Sequence, residues 1–141
     1  MDLGLKDKVI MGPAGGEYGI RGFLAAFDVA TGNEMWRFNL VPGPGEPGFD
    51  TWQGDAWKTG GASIWLTGSY DPELNLLYVG TGNAAPWNRK VRSPKGGDNL
   101  YLASILAINP DTGRLAWHYQ EVPGEQWDYT STQPIVLSTL K

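Results

Sequence analysis

Apolar residues in this chain fall in short runs broken by clusters of Gly, Pro, Asn and Asp, which is the pattern of short strands and tight turns. Residues 8–11 and 22–27 read as strands. Between them lies Gly12-Pro13-Ala14-Gly15-Gly16-Glu17-Tyr18-Gly19-Ile20-Arg21, where four glycines surround a single acid. The segment Ala26-Phe27-Asp28-Val29-Ala30-Thr31-Gly32-Asn33-Glu34-Met35-Trp36 is a strand, an Asp-to-Gly turn and a second strand, a β-hairpin. Its pattern returns 81 residues later as Ala107-Ile108-Asn109-Pro110-Asp111-Thr112-Gly113-Arg114-Leu115-Ala116-Trp117, with Ala, Asp or Asn, Thr-Gly and Trp at the same offsets. Between the copies, residues 41–61 open with Pro42-Gly43-Pro44-Gly45-Glu46-Pro47-Gly48, too rich in Pro and Gly for a ladder strand, and are expected as a long loop. Residues 63–69 and 76–80 are expected to pair around the turn 70–75. Residues 88–99 are expected as a polar surface loop, and residues 102–108 as the strand leading into the second repeat.

A repeated strand-turn-strand unit with one tryptophan per copy implies radial repetition of small sheets, the propeller solution to covering sheet edges. Trp36 and Trp117 are then packing residues between blades. The 81-residue period exceeds the ~40–50 residues of one blade, so an extra blade or a long excursion separates the copies. The two hairpins and the pair between them amount to two or three blades, against the ~4–8 that close a propeller. The expected fold is all-β, a partial propeller, with residues 1–141 one fragment of a larger domain. Ends at Met1 within a blade and at Lys141 just after Ile135-Val136-Leu137 fit that expectation.

Composition agrees with the class and removes some functions. Glycine, at 20 of 141 residues, is about twice its usual ~7%, and 10 prolines and 7 tryptophans accompany it, which favours strands and turns over helices. A net charge of −4 with scattered basic residues offers no stripe for nucleic acid. No run approaches the ~20 apolar residues that span a bilayer, so no membrane insertion is expected of this segment. With no cysteine there are no disulfides, thiolate metal sites or Cys-x-x-Cys-His haem attachment.

Candidate chemistry centres on Gly80-Thr81-Gly82-Asn83-Ala84-Ala85-Pro86-Trp87-Asn88. Glycines there permit close backbone approach to a ligand, Pro86 fixes the exit and Trp87 adds a rigid apolar plate. The same residues would also serve as a wide turn with an aromatic plug.

The chain resembles the pyrroloquinoline quinone (PQQ) dependent alcohol dehydrogenases of the methanol and ethanol dehydrogenase type, in a central part of their eight-bladed propeller. The likeness rests on Gly15-Gly16-Glu17-Tyr18-Gly19-Ile20-Arg21-Gly22, the two Ala-to-Trp repeats, Gly60-Gly61-Ala62-Ser63-Ile64-Trp65, the Gly80–Asn88 segment and Glu125-Gln126-Trp127-Asp128-Tyr129. It implies an oxidoreductase that converts primary alcohols to aldehydes by hydride transfer to PQQ, with Ca²⁺ as Lewis acid. A small alcohol is the implied substrate, a c-type cytochrome or quinone the electron acceptor, and the periplasm the location.

By the same resemblance Glu17 and Asn83 are calcium ligands, and carboxylate and amide oxygens suit a hard cation. Without it, Glu17 is a solvated loop acid and Asn83 a turn former. Asp128 matches the catalytic base that takes the alcohol's proton. It lies 45 residues beyond Asn83, a few more than the family pattern, with the slack in 88–99. Its alternative is a turn cap beside a structural Trp127. Trp65 matches the floor beneath the cofactor, Ser63 a hydroxyl that bonds a cofactor carboxylate, Gly15 and Gly16 the adjoining backbone, and Trp87 the border of the substrate entrance. Ala14 stands where relatives offer a side chain to the cofactor. Thr130 occupies the position of an extra aspartate in lanthanide-dependent relatives, so Ca²⁺ is expected rather than a lanthanide. The family's cysteine ring and an arginine near the quinone fall outside this sequence. Two other readings share the repeats: a non-catalytic PQQ-repeat scaffold, as in outer-membrane assembly lipoproteins, and a sugar or polyol quinoprotein dehydrogenase. The presence of Glu17, Asn83 and Asp128 together argues against the scaffold.

Overall fold

The computed structural model describes residues 2–140. Eight strands form two antiparallel four-stranded sheets, each a meander in chain order. The first comprises β1 (Asp2–Leu5), β2 (Lys8–Met11), β3 (Phe23–Asp28) and β4 (Glu34–Asn39). The second comprises β5 (Ser69–Asp71), β6 (Leu76–Gly80), β7 (Ser104–Ile108) and β8 (Leu115–Gln120). These are two propeller blades, and the 81-residue period is one blade step lengthened by an excursion. Met1 and Lys141, on which the expectation about the chain ends rested, lie outside the described residues.

Each hairpin turn is built by one side chain. Asp28 Oδ1 accepts from the backbone of Ala30 and Thr31 and from the Thr31 hydroxyl. Asn109 Oδ1 accepts the equivalent three from Asp111 and Thr112. An acceptor at the first position, a hydroxyl three residues on and a left-handed glycine next are what this turn needs, which accounts for the repeated residue types. The turn glycines are Gly32 at φ 72° and Gly113 at φ 70°.

The two blades share one apolar core. Ile10, Leu24 and Ala26 of the first sheet and Leu77, Val79, Leu106 and Ile108 of the second belong to a single buried cluster with Leu40, Ile64 and Trp52. At the seam the Trp36 indole N–H donates to the Pro110 carbonyl at 2.9 Å. Its ring lies so close over Gly113 that a Cβ there would sit 2.6 Å from Trp36 Cδ2 and Cε3. Trp117, at the matching position of the second repeat, packs instead on Tyr78 of its own sheet with ring centroids 5.8 Å apart, and is 45% exposed. Beside the seam, Lys8 is only 4% exposed and pairs with Asp7 at 2.7 Å and with Asp111 of the next blade at 3.5 Å.

Three expectations need correction. Residues 63–68 form no strand: β5 begins only at Ser69, and Ser63 and Ile64 bond through their backbones to Gly82 and Pro13 rather than to β6. The hairpin turn accordingly narrows to residues 72–75. Residues 88–99 are not simply a surface loop, since they contain a short helix, α1 (Arg89–Arg92), and bury Arg92, Ser93 and Asn99. Strand β1 was not anticipated. The excursion 41–61 is a loop as expected, containing two short 3₁₀ turns, Phe49–Thr51 and Ala56–Thr59.

Gly32→Ala and Gly113→Ala separate turn strain from blade docking. Both residues are left-handed, which costs a Cβ-bearing residue roughly 1–2 kcal/mol. Nothing lies within 4 Å of a Cβ at Gly32, whereas one at Gly113 strikes Trp36. Urea unfolding is expected to show Gly113→Ala less stable than Gly32→Ala by a further ~1–3 kcal/mol of overpacking.

Candidate functional site

Three backbone segments from separate parts of the chain run side by side where loops leave the ends of the two sheets. Gly22 N–H donates to Gly61 O at 2.8 Å, and Gly61 N–H to Ile20 O at 2.9 Å. On the other side Ala62 N–H donates to Asn83 O at 2.9 Å, and Ala85 N–H to Gly60 O at 3.0 Å. Gly82 N–H reaches Ser63 O, and Ile64 N–H reaches Pro13 O. The Glu17 loop of the first blade and the Asn83 turn of the second are thus both fastened to residues 60–64. Glycine at position 61 is required twice over: its φ is 86°, and a Cβ would sit 2.6 Å from Asn83 O.

This ladder brings Gly16, Ser63 and Asn83 into contact. Gly15, at φ 91°, starts the 3₁₀ turn Gly16–Tyr18. A Cβ on Gly16 would lie 2.9 Å from Ser63 Oγ and 3.1 Å from Asn83 Oδ1, so the backbone here closes directly on two polar side chains. Ser63 and Asn83 are fully buried, yet Ser63 Oγ and Asn83 Oδ1 accept and donate no hydrogen bond. Asn83 Nδ2 is satisfied by the Ala84 carbonyl at 3.2 Å. A buried polar atom left unpaired costs about 1–3 kcal/mol, so two adjacent ones mark a place poised for a ligand.

Glu17, next to Gly16, is exposed and borders a cavity of about 230 Å³ with Ala84, Ala85, Pro86 and Trp87. Trp65 lies over Gly82, where a Cβ would meet its ring at 2.6 Å, and is 38% exposed. Asp128 is exposed and left-handed at φ 65°. Its carboxyl is pushed above the ordinary value by partial burial first, then by the negative fields of Glu125 and Glu17. The arrangement thus supplies an amide oxygen, a hydroxyl, an aromatic plate and two carboxylates. Among the described residues no three His, Cys, Asp or Glu side chains cluster closely enough to hold a metal by themselves.

Two residues of this region carry roles that the sequence did not reveal. Glu125 is fully buried: one carboxylate oxygen accepts from Trp127 N–H and from Tyr129 N–H at 2.9 Å, the other from Ala84 N–H at 3.2 Å. Arg92 is 2% exposed, and its guanidinium donates to the carbonyls of Pro86, Trp87 and Glu125 and to Asn99 Oδ1. Burial pushes Arg92 down to about 10, opposed by the charge of Glu125. Neither position stands out from other loop charges in sequence, where Glu125 is only the first residue of the Glu125–Tyr129 motif.

Paired antiparallel blades joined by an indole on a Thr-Gly turn define a segment of β-propeller. A family model described as "PQQ: Glucose/ethanol/alcohol dehydrogenase, beta-propeller domain" matches residues 5–141. Quinohemoprotein alcohol dehydrogenase ADH IIB of Pseudomonas putida is 59% identical over 96% of this chain and 21% of its own length. The crystal structure of quinohemoprotein alcohol dehydrogenase from Comamonas testosteroni superposes with a TM-score of 0.90 at 53% identity, over 97% of this chain and 22% of that one. A europium-containing methanol dehydrogenase gives 0.81 at 41% identity, over 91% of this chain and 25% of that one. The chain belongs to the PQQ glucose/ethanol/alcohol dehydrogenase β-propeller family, and spans 21% of the length of the first two relatives, those of P. putida and C. testosteroni.

Ser63→Ala tests the orphaned hydroxyl. Because that oxygen is buried without a partner, its removal is expected to stabilise the cofactor-free protein by about 1 kcal/mol in thermal or urea unfolding. A loss of stability of that size would mean that the hydroxyl is already satisfied.

Proposed function

We propose that this chain is part of one PQQ-binding propeller domain of a quinoprotein that oxidises primary alcohols to aldehydes. The observation that carries this reading is the unpaired, fully buried Asn83 Oδ1, one residue's reach from the Glu17 loop and beside the equally unpaired Ser63 Oγ. An amide oxygen with a nearby carboxylate is a donor set for a hard cation, and a buried hydroxyl suits a carboxylated cofactor. Glu17 and Asn83 would hold Ca²⁺, while Ser63, Trp65 and the backbone of Gly15 and Gly16 would hold PQQ. When bound, PQQ supplies the two-electron hydride acceptor and Ca²⁺ the Lewis acid.

Asp128 takes the hydroxyl proton of the alcohol on its carboxylate. Partial burial first, and the negative field of Glu125 after it, raise its proton affinity and make it a stronger base while it remains ionised. Trp65 and Trp87, both partly exposed, provide flat apolar surface to orient cofactor and substrate and to exclude water. The relatives support alcohol over sugar as substrate, since the first six are alcohol dehydrogenases by name. Names among the relatives include "quinone" for a dehydrogenase subunit of Gluconobacter oxydans and "cytochrome c" for a methanol dehydrogenase subunit of Methylorubrum extorquens, which supports an acceptor of one of those classes. We place the protein in the periplasm on the strength of the family resemblance.

Relatives include a lanthanide-dependent methanol dehydrogenase at 41% identity, so the choice of metal is local. At Thr130 the side chain is a neutral hydroxyl 3.0 Å from the Thr132 hydroxyl, and it adds no anionic oxygen for a trivalent ion. Calcium is the proposed metal.

Dye-linked oxidation of ethanol by the full-length protein, supplied with PQQ and Ca²⁺, tests the proposal. Turnover is expected, with Asp128→Asn lowering kcat by roughly 10²–10⁴ at unchanged PQQ content. Wild-type turnover by Asp128→Asn would remove Asp128 from the chemistry. The 141-residue chain alone is expected to be inactive, and robust activity from it would overturn the fragment reading.

A further inference from the structure

We propose that Glu125 is a positioning residue that sets the separation between the Asp128 loop and the Asn83 turn, acting as a carboxylate clamp between the two walls of the site. This rests on the alcohol-oxidising reading above for what the two walls do, but the clamp itself rests on geometry.

The two Glu125 oxygens divide three backbone donors between the walls. One holds the N–H groups of Trp127 and Tyr129, on either side of Asp128. The other holds the N–H of Ala84, the residue after Asn83. Asp128 is a non-glycine residue in the left-handed region, a conformation that persists only where its surroundings over-determine it. Fixing the amides on both flanks to one oxygen does so. Ala84 N–H, buried and 41 residues away in sequence, has no acceptor other than Glu125 among the described residues. The clamp is itself held from behind, because Arg92 donates to the Glu125 carbonyl at 2.5 Å and Gly124 N–H donates to Asp98 O at 2.8 Å.

Only a carboxylate of this length serves. Three N–H groups converge on the side chain, so both of its terminal atoms must accept. A glutamine places an NH₂ against one of them, and an alanine leaves all three unpaired. Proton transfer from an alcohol to Asp128 depends on geometry at the ångström scale, and a misplacement of about 1 Å can cost 10²-fold in rate.

The test uses the full-length protein and two readouts on Glu125→Ala and Glu125→Gln. Amide hydrogen exchange of the cofactor-free protein is expected to lose protection at Ala84, Trp127 and Tyr129 in Glu125→Ala. In Glu125→Gln the loss is expected at Ala84 alone, because the amide oxygen still serves the other two. In the PQQ- and Ca²⁺-loaded protein, kcat per bound PQQ is expected to fall about 10²-fold in Glu125→Ala, with KM for ethanol changed far less, and by an intermediate factor in Glu125→Gln. A purely structural residue would lower the yield of loaded protein and leave kcat per bound PQQ intact, and that result overturns the proposal. So does unchanged protection of the three amides. Should Glu125→Ala fail to fold, Glu125→Gln decides: wild-type kcat with Ala84 deprotected sinks the positioning role. If the wild type oxidises no alcohol, the substrate reading fails, while the exchange data still decide the clamp.

Discussion

The backbone ladder through residues 60–64 is the constraint on which this structure depends. That stretch hydrogen-bonds to residues 20–22 and 13 on one side and to residues 82–85 on the other, so it forms the hinge line between two blades. Without it the Glu17 loop and the Asn83 turn would be independent surface loops. The ladder exists because glycines at 22 and 61 let three backbones approach more closely than side chains allow: a Cβ on Gly22 would sit 2.2 Å from Ala62 O, and one on Gly61 2.6 Å from Asn83 O. It also explains why Ser63 and Ile64 cannot extend β5: the Ser63 carbonyl already accepts from Gly82 N–H and the Ile64 N–H already donates to Pro13 O.

Blade packing supplies the frame that the ladder needs. Trp36 crosses the seam to Gly113 and Pro110, Lys8 reaches Asp111, and one apolar cluster runs through both sheets. The cost of the site's unpaired oxygens and left-handed residues is carried by this frame. Two of the three unpaired buried side-chain atoms among the described residues, Ser63 Oγ and Asn83 Oδ1, lie where the two blades meet, as expected of a region organised for binding rather than for stability.

Much of this was legible in the sequence. The hairpin repeat announced itself because one side-chain acceptor, one threonine and one glycine must recur wherever that turn recurs, and Asp28 and Asn109 show the same three hydrogen bonds. The contact of Gly16 with Ser63 and Asn83 was foreshadowed only by family resemblance, since the residues are far apart in sequence. What stayed hidden was long-range polar satisfaction. Arg92 and Glu125 look like solvated loop charges, and their burial follows from carbonyls and amides presented by distant turns, which no local pattern encodes. Strand β1 was missed because a run as short as Asp2–Leu5 with one glycine has little β signal of its own and is recruited by pairing with β2.

The central claim is that the unpaired oxygens of Ser63 and Asn83 are ligand positions. A crystal structure of the full-length protein loaded with PQQ and Ca²⁺, with the metal located by its anomalous signal, tests it most directly. The account predicts a calcium ion about 2.3–2.6 Å from Asn83 Oδ1 and from a Glu17 carboxylate oxygen, with Ser63 Oγ bonded to the cofactor. A metal bound elsewhere, with Asn83 Oδ1 paired only to water or backbone, would contradict it.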